Sequence, residues 1–161
     1  MKDSDRHHLR GRMRRVTKKR RNAQQTGMEG VYRVAAELTS RGFIVSPTSR
    51  SAKGADLLVT NSKCSQAFTV QVKANWLAPA YWLTGPNAIS YRSHIVVLVN
   101  LLEEGGSGEP RPPFYVVPGR IAKRLTRSRR AKTGKRIVFY SIYRSEVAAF
   151  RDGWRIFGNP G

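Results

Sequence analysis

Hydrophobic and polar positions along the chain follow two periods, and each period predicts one type of element. Between residues 27 and 41 the apolar side chains recur every three or four positions, which is the spacing of an amphipathic helix. Thr26, followed three positions later by Glu29, has the form of a capping box, and Gly42 suits the left-handed turn that ends a helix. We therefore expect a first helix that opens at Thr26 and stops at Arg41.

Strands are predicted where short apolar runs lie between turn residues. The apolar runs at 57–60 and 67–73 are joined by a polar loop, which is typical of a β-hairpin. The continuous apolar run at 94–100 is typical of a strand that is buried on both faces. Further strands are expected at 43–47, 114–118 and 137–142, helices at 119–130 and 145–150, and a packed chain end at 154–157. The stretch 75–87 is expected to be a linker, whose aromatic residues either stack on bases or cover an edge of the core.

The predicted hairpin carries polar residues at the ends of its strands. Asp56 directly precedes the first strand, and the second strand ends in the sequence Gln71-Val72-Lys73. Because side chains alternate along a strand, Gln71 and Lys73 should share one face while Val72 takes the other. Polar groups at such places are costly to bury without partners, and a bound cation and a phosphate would be suitable partners.

Together with Glu29, these residues form a candidate metal site. Hydrolysis of a phosphodiester needs an activated water and an offset for developing negative charge, and Mg²⁺ or Mn²⁺ supplies both. Such hard ions prefer oxygen ligands, which Asp56, Glu29, the Gln71 side chain and the backbone carbonyl of Val72 could provide. Lys73 would orient the attacking water or stabilise the charge of the transition state. In the simpler interpretation, Glu29 is only a capping residue, Asp56 only begins a strand, and Gln71 and Lys73 are an ordinary polar face.

The charge of the chain predicts a polyanionic partner. In 161 residues there are 30 Lys and Arg against 10 Asp and Glu, which gives a formal net charge of +20 and a pI near 11.3. This balance favours nucleic acid as the partner, DNA first, with RNA left open. Residues 1–26 are expected to form a flexible basic arm, and residues 111–136 carry ten basic side chains and no acid. The predicted phosphate contacts are Arg50, Lys53, Arg120, Lys123, Arg124, Arg127, Arg129 and Arg130. The alternative for both regions is a merely solubilising role.

Composition also argues against several other classes of protein. Cys64 is the only cysteine, so no intrachain disulfide can form, which fits a reducing cytoplasm and a nucleoid-associated protein. No apolar run reaches the length of a membrane span, so no membrane partner is expected. The three histidines, including His94, do not lie at zinc-ligand spacing with cysteines or acids, so no zinc site is predicted.

The order of these elements and residues resembles the PD-(D/E)XK nuclease superfamily, and within it the small Holliday-junction-resolvase-like nucleases. The resemblance covers roughly residues 27–118. Asp56 matches the first acid of the motif, a metal ligand, and Lys73 matches its lysine. Gln71 stands where the family usually has Asp or Glu, and Glu29 matches the acid that some branches place on the first helix.

The resemblance implies a fold and an activity. The expected fold is α/β, with a central mixed sheet flanked by helices, a restriction-endonuclease-like core in the order αβββαβ, and a single domain over residues 27–161. The implied activity is that of a Mg²⁺-dependent DNA endonuclease acting in repair, recombination, restriction or a mobile element. Two cuts on opposing strands need two sites, which would fit a homodimer.

Gln71 keeps one alternative to this activity open. Replacing an acid by glutamine removes a negative charge beside the ion, which should weaken metal binding and favour a single-metal site. The alternative is a catalytically inactive nucleic-acid-binding protein with the same fold. A basic RNA- or ribosome-associated protein is the third interpretation.

Overall fold

The computed structural model describes residues 22–49, 54–77, 79–86, 91–102, 112–130 and 138–161. Most of the expected basic arm, residues 1–21, lies outside this part of the chain, as do Arg50 and Lys53. The helices that are described include none with the length and apolar character needed to cross a bilayer.

The first helix, α1 (Ala23–Ser40), begins one turn earlier than the sequence pattern predicted. Asn22 is its N-cap, and the Asn22 side chain accepts a hydrogen bond from the backbone N–H of Gln24 at 2.9 Å. Thr26 lies inside the helix and is buried, so the predicted capping box and the arm boundary at residue 26 are wrong. The predicted end of the helix is confirmed, because Gly42 has φ +91° and its N–H binds the Thr39 carbonyl at 2.9 Å.

Eight strands form two sheets. They are β1 (Ile44–Pro47), β2 (Leu57–Thr60), β3 (Ala67–Asn75), β4 (Tyr81–Thr84), β5 (His94–Asn100), β6 (Phe114–Pro118), β7 (Arg127–Arg130) and β8 (Val138–Tyr143). The main sheet has the order β1-β2-β3-β5-β6, and the small sheet has the order β4-β8-β7. Only β3 and β5 run parallel in the main sheet, so this sheet is mixed and the predicted α/β class is confirmed. Between β3 and β5 the described residues form β4, where the core order had implied a helix.

Helix α1 covers one face of the main sheet. Its apolar side chains, among them Val34 and Leu38, pack against the inward residues of the strands in the larger hydrophobic cluster. Gly30 permits this close approach of the helix, because a Cβ at position 30 would collide with the Cβ of Ala74 on β3. A glycine inside a helix costs about 1 kcal/mol relative to alanine, and here the missing side chain lets α1 lie directly on β3.

The small sheet and α2 (Gly119–Leu125) cover part of the opposite face of the main sheet. Trp82 of β4 is fully buried there, and its Nε1 donates to the Val99 carbonyl at 3.0 Å. The predicted linker 75–87 therefore contains a core strand, and the interpretation of its aromatic residues as part of the core holds for Trp82. Chain-end packing is also confirmed, since Trp154 and Phe157 are buried.

The single basic helix that was predicted for residues 119–130 is two elements. Helix α2 stops at Leu125, Thr126 takes an extended conformation, and the next four residues form β7. Because β7 pairs antiparallel with β8, tertiary hydrogen bonding overrides the local helical pattern. The late strand and the short helix are confirmed as β8 and α3 (Arg144–Val147), the latter followed by a 3₁₀ turn.

Candidate active site

Asp56 lies directly against the second strand of the hairpin. Its backbone N–H donates to the Val70 carbonyl at 2.8 Å, and its Oδ2 accepts the N–H of Val72 at 2.7 Å. The Asp56 carboxylate thus accepts the Val72 N–H, which a backbone carbonyl would accept if β2 continued further. Gly54, with φ +83°, lets the chain turn into this position. The hairpin therefore brings Asp56 to the Gln71-Val72-Lys73 sequence, as the pattern of strands required.

The same hydrogen bonds fix the direction of the Val72 carbonyl. Along a strand, the N–H and C=O of one residue point toward the same neighbouring strand. Because the Val72 N–H points at Asp56, its C=O opens on the Asp56 side of β3 as well. A carboxylate and a neutral backbone oxygen thus lie at one edge of β3, just beyond the start of β2.

Gln71 and Lys73 lie on the face of β3 that α1 does not cover. Val70 and Val72 are buried on the helix side, whereas Gln71 and Lys73 are only half-buried and pair in register with Val96 and Leu98. The predicted alternation is therefore confirmed. In the described part of the chain, neither the Gln71 amide nor the Lys73 ammonium has a hydrogen-bond or ion-pair partner. Half-buried groups of this kind are stabilised by a polar or charged ligand.

Glu29 lies on α1, which covers the face of the main sheet opposite Gln71 and Lys73. It precedes Gly30, which abuts Val72 and Ala74, and its role as a metal ligand stays a prediction. Its Oε1 accepts hydrogen bonds from Arg33 Nε at 3.1 Å and Nη2 at 2.9 Å. Glu29 is therefore not a capping residue, and it forms an i,i+4 ion pair in the second turn of α1.

Asp56 differs from the other described acidic residues in the kind of partner that its carboxylate has. Among the five acidic residues that the structure describes, four pair with an arginine: Glu29 with Arg33, Glu37 with Arg41, Glu146 with Arg127, and Asp152 with Arg151. Asp56 instead holds a backbone N–H. Over the described ranges, no three His, Cys, Asp or Glu side chains cluster as a metal site. A divalent ion beside Asp56 would therefore depend on neutral oxygens, and the Gln71 amide and the Val72 carbonyl fit that requirement.

Comparison with solved structures identifies the fold. The chain superposes on a bacterial homing endonuclease, I-Ssp6803I, with a TM-score of 0.54 and 16% sequence identity, over 84% of this chain and 91% of that chain. The chain has a restriction-endonuclease-like fold. The Holliday junction resolvase Hjc of Archaeoglobus fulgidus also matches, with a TM-score of 0.46 and 15% identity over 76% of this chain and 88% of that chain. No protein-family model matches the sequence, and neither does any curated protein.

In this restriction-endonuclease-like fold, His94 is a buried titratable residue near Asp56. This residue begins β5, is fully buried, and its Nδ1 lies 2.9 Å from the Thr69 hydroxyl on the Gln71 face of β3. Its Nε2 has no hydrogen-bond partner among the described residues. Burial lowers the pKa of His94, and the nearby Asp56 carboxylate offsets part of that shift, so the imidazole is neutral at pH 7. A test for zinc spacing could not find it, because its partners are a threonine and an acid on other strands.

The predicted phosphate contacts of α2 and β7 are all exposed in the restriction-endonuclease-like fold. They are Arg120, Lys123, Arg124, Arg127, Arg129 and Arg130. Two of them are held in place: Arg127 pairs with Glu146 at 2.8 Å, and the Arg129 guanidinium lies 4.8 Å from the centre of the Tyr143 ring. The structure thus leaves these six residues accessible to solvent, and their contact with phosphate stays a prediction.

Proposed function

We propose that this protein is a metal-dependent DNA endonuclease. The observation that carries the proposal is the Asp56 carboxylate held 2.7 Å from the Val72 amide, within the Gln71-Val72-Lys73 sequence. Support also comes from the fold, which is that of a bacterial homing endonuclease, and from a net charge of +20 that suits DNA.

Four groups of the chain would hold a Mg²⁺ or Mn²⁺ ion at this site: the carboxylates of Asp56 and Glu29, the Val72 carbonyl and the Gln71 amide oxygen. Few protein carboxylates suffice for Mg²⁺, since the ion retains several waters and also binds substrate phosphate. A bound divalent ion supplies Lewis-acid activation of water and compensation of charge. The Val72 N–H fixes the Asp56 carboxylate, so this ligand is oriented before any ion arrives.

Lys73 would act on the phosphate itself. Its ammonium shares a face with Gln71 and has no protein partner in the described chain, so it is available to a scissile phosphate. There it would stabilise the negative charge that grows on the phosphate oxygens and would orient the attacking water by hydrogen bonding. Gln71 is neutral and forms no ion pair with Lys73, so the lysine can direct its charge to the substrate.

A cleavage experiment tests this proposal. Purified protein with Mg²⁺ or Mn²⁺ should cut duplex, branched or single-stranded DNA, and D56N and K73A should abolish cutting while DNA binding in EDTA persists. The matched control is E37Q, which alters an acid of α1 that pairs with Arg41. If the wild-type protein leaves all three kinds of DNA uncut with either metal, the nuclease proposal fails.

Gln71 favours a second candidate function, a DNA-binding protein that has lost hydrolysis. In the fold's usual motif this position carries an acid, so its amide removes one charge from the ion site. This alternative predicts salt-sensitive DNA binding that D56A and K73A leave unchanged, with no metal-dependent product. A competition between DNA and RNA of equal length would identify an RNA-associated protein, and light scattering with and without DNA would test for a homodimer.

A further inference from the structure

The small sheet presents one face to the core and the other to solvent. Trp82 and Ile142 point inward and are buried, as side-chain alternation requires. Their neighbours Tyr81 and Phe139 point outward, with 40% and 44% of their surface exposed. The outward face therefore carries large aromatic side chains that contribute little to the hydrophobic core.

These aromatic residues line a groove together with arginines. The groove has a volume of about 270 Å³ and is lined by Tyr81, Leu83, Arg129, Arg130, Phe139, Ser141 and Tyr143. Strand register places Tyr81 opposite Tyr143, with ring centres 6.0 Å apart, and Arg129 opposite Phe139. The Arg129 guanidinium lies over the Tyr143 ring, so a fixed cation borders flat π-surfaces.

A second pocket adjoins the groove at Tyr143. It has a volume of about 650 Å³, and its lining includes Tyr115, Arg144 and Arg151. Arg144 Nε donates to the Tyr115 hydroxyl at 3.3 Å, which orients the Arg144 guanidinium along the pocket wall. The Tyr143 hydroxyl is buried and has no hydrogen-bond partner in the part of the chain that is described. Such a hydroxyl is destabilising unless a ligand oxygen satisfies it.

We propose that the groove and the adjoining pocket bind unpaired nucleotides of the DNA substrate. One base would stack on Tyr81 and another on Phe139, which lies four positions from Tyr143 along β8. A neighbouring phosphate would bind Arg144 and Arg151, with the Tyr143 hydroxyl donating to it. Stacking on aromatic side chains accepts any base, because every base has a π-face, whereas the bases of an intact duplex are already stacked on one another. This inference rests on the proposed DNA endonuclease function and narrows its substrate to DNA with single-stranded or branched segments.

Binding measurements without cleavage test this inference. The full-length D56N protein in EDTA is titrated, at one fixed salt concentration, into fluorescein-labelled single-stranded DNA and into duplex DNA of the same length. We expect Y81A and F139A each to weaken single-strand binding by about 5- to 150-fold, which is the range for one lost stacking contact. Their effect on duplex binding should stay within about threefold, because phosphate contacts dominate that affinity.

Two further variants control for loss of fold. Y32A removes an aromatic side chain of α1 that is 59% exposed and distant in sequence from both pockets, and it should bind both DNAs as the parent does. F139Y keeps an aromatic ring and should retain single-strand affinity. The inference is overturned if Y81A and F139A leave single-strand binding unchanged, or if they weaken duplex and single-strand binding equally.

The outcome is separable from that of the nuclease proposal. If the D56N protein shows the stacking dependence but the wild-type protein cuts no DNA, the nuclease proposal alone fails. If the wild-type protein cuts DNA but Y81A and F139A bind single-stranded DNA as tightly as the parent does, this inference alone fails.

Discussion

Substitution of Asp56 separates the structural from the catalytic role of its carboxylate. Alanine removes the acceptor of the Val72 N–H at 2.7 Å, whereas asparagine keeps a side-chain oxygen in the same place. A hydrogen bond to a charged group contributes about 1.5–3 kcal/mol to stability, and a neutral one about 1 kcal/mol. Asp56 is partly exposed, so we expect the lower end: D56A should lower the free energy of unfolding by about 1.5–2 kcal/mol and D56N by about 1 kcal/mol or less.

Mg²⁺ provides a readout of the site that does not depend on cleavage. An ion that binds only the native state stabilises it by about 2.7 kcal/mol at 100 times its Kd. For a domain of this length, that corresponds to a rise in melting temperature of roughly 5–11 °C. We expect this rise for the wild-type protein and its absence for D56N, because asparagine withdraws the charge that binds the ion.

Thermal melts with and without Mg²⁺, combined with plasmid cleavage, measure both effects on the same samples. E37Q serves as the control and should show the full Mg²⁺ shift, since Glu37 pairs with Arg41 on α1. The reasoning is refuted if D56N keeps the Mg²⁺ shift, because the ion would then bind elsewhere. It is equally refuted if D56A is as stable as the wild-type protein, because the bond to Val72 would then contribute nothing.

Three other substitutions probe the surroundings of the site. Q71E should tighten Mg²⁺ binding by adding a negative charge beside Asp56, which isothermal titration would show as a lower Kd; an unchanged Kd would place the side chain outside the ion's shell. Because burial lowers the pKa of His94 in the folded state, the unfolded chain binds more protons as the pH falls below about 6.5, so stability should fall there. In urea melts from pH 7.5 to 5, H94N should lose less stability than the wild-type protein, and equal losses would exclude His94 as the cause. G30A should destabilise by about 1–3 kcal/mol through collision with Ala74, and the double variant G30A/A74G should recover stability if that collision is the reason.

The sequence was informative wherever the deciding forces are local. The hairpin and the shared face of Gln71 and Lys73 follow from a two-residue period and one polar loop. The end of α1 follows from the freedom of Gly42 to adopt a positive φ. That Asp56 lies beside the Gln71-Val72-Lys73 sequence follows from the hairpin, since Asp56 precedes the first strand and so comes next to the second half of its partner.

Elements that depend on distant partners were the ones that the sequence misassigned. The residues of β7 form a strand only because β8 offers hydrogen bonds to them, and the same arginines suit a helix in isolation. His94 acquires its environment from Thr69, 25 residues away, and from burial under other elements. The cap of α1 was missed because Asn22 and Thr26 are both good N-cap residues, and in the structure Asn22 caps the helix while Thr26 is buried inside it.

The position of β7 gives its arginines a second role, which is to protect an edge strand. It is an outer strand of the small sheet, where unpaired backbone groups invite another chain to add on. Three of its four residues are arginines. When the edge strands of two molecules approach each other, these like charges repel and disfavour pairing. Replacing these arginines by uncharged residues to weaken DNA binding would also remove the repulsion that protects this edge strand. Such variants should therefore aggregate as well as bind DNA less tightly.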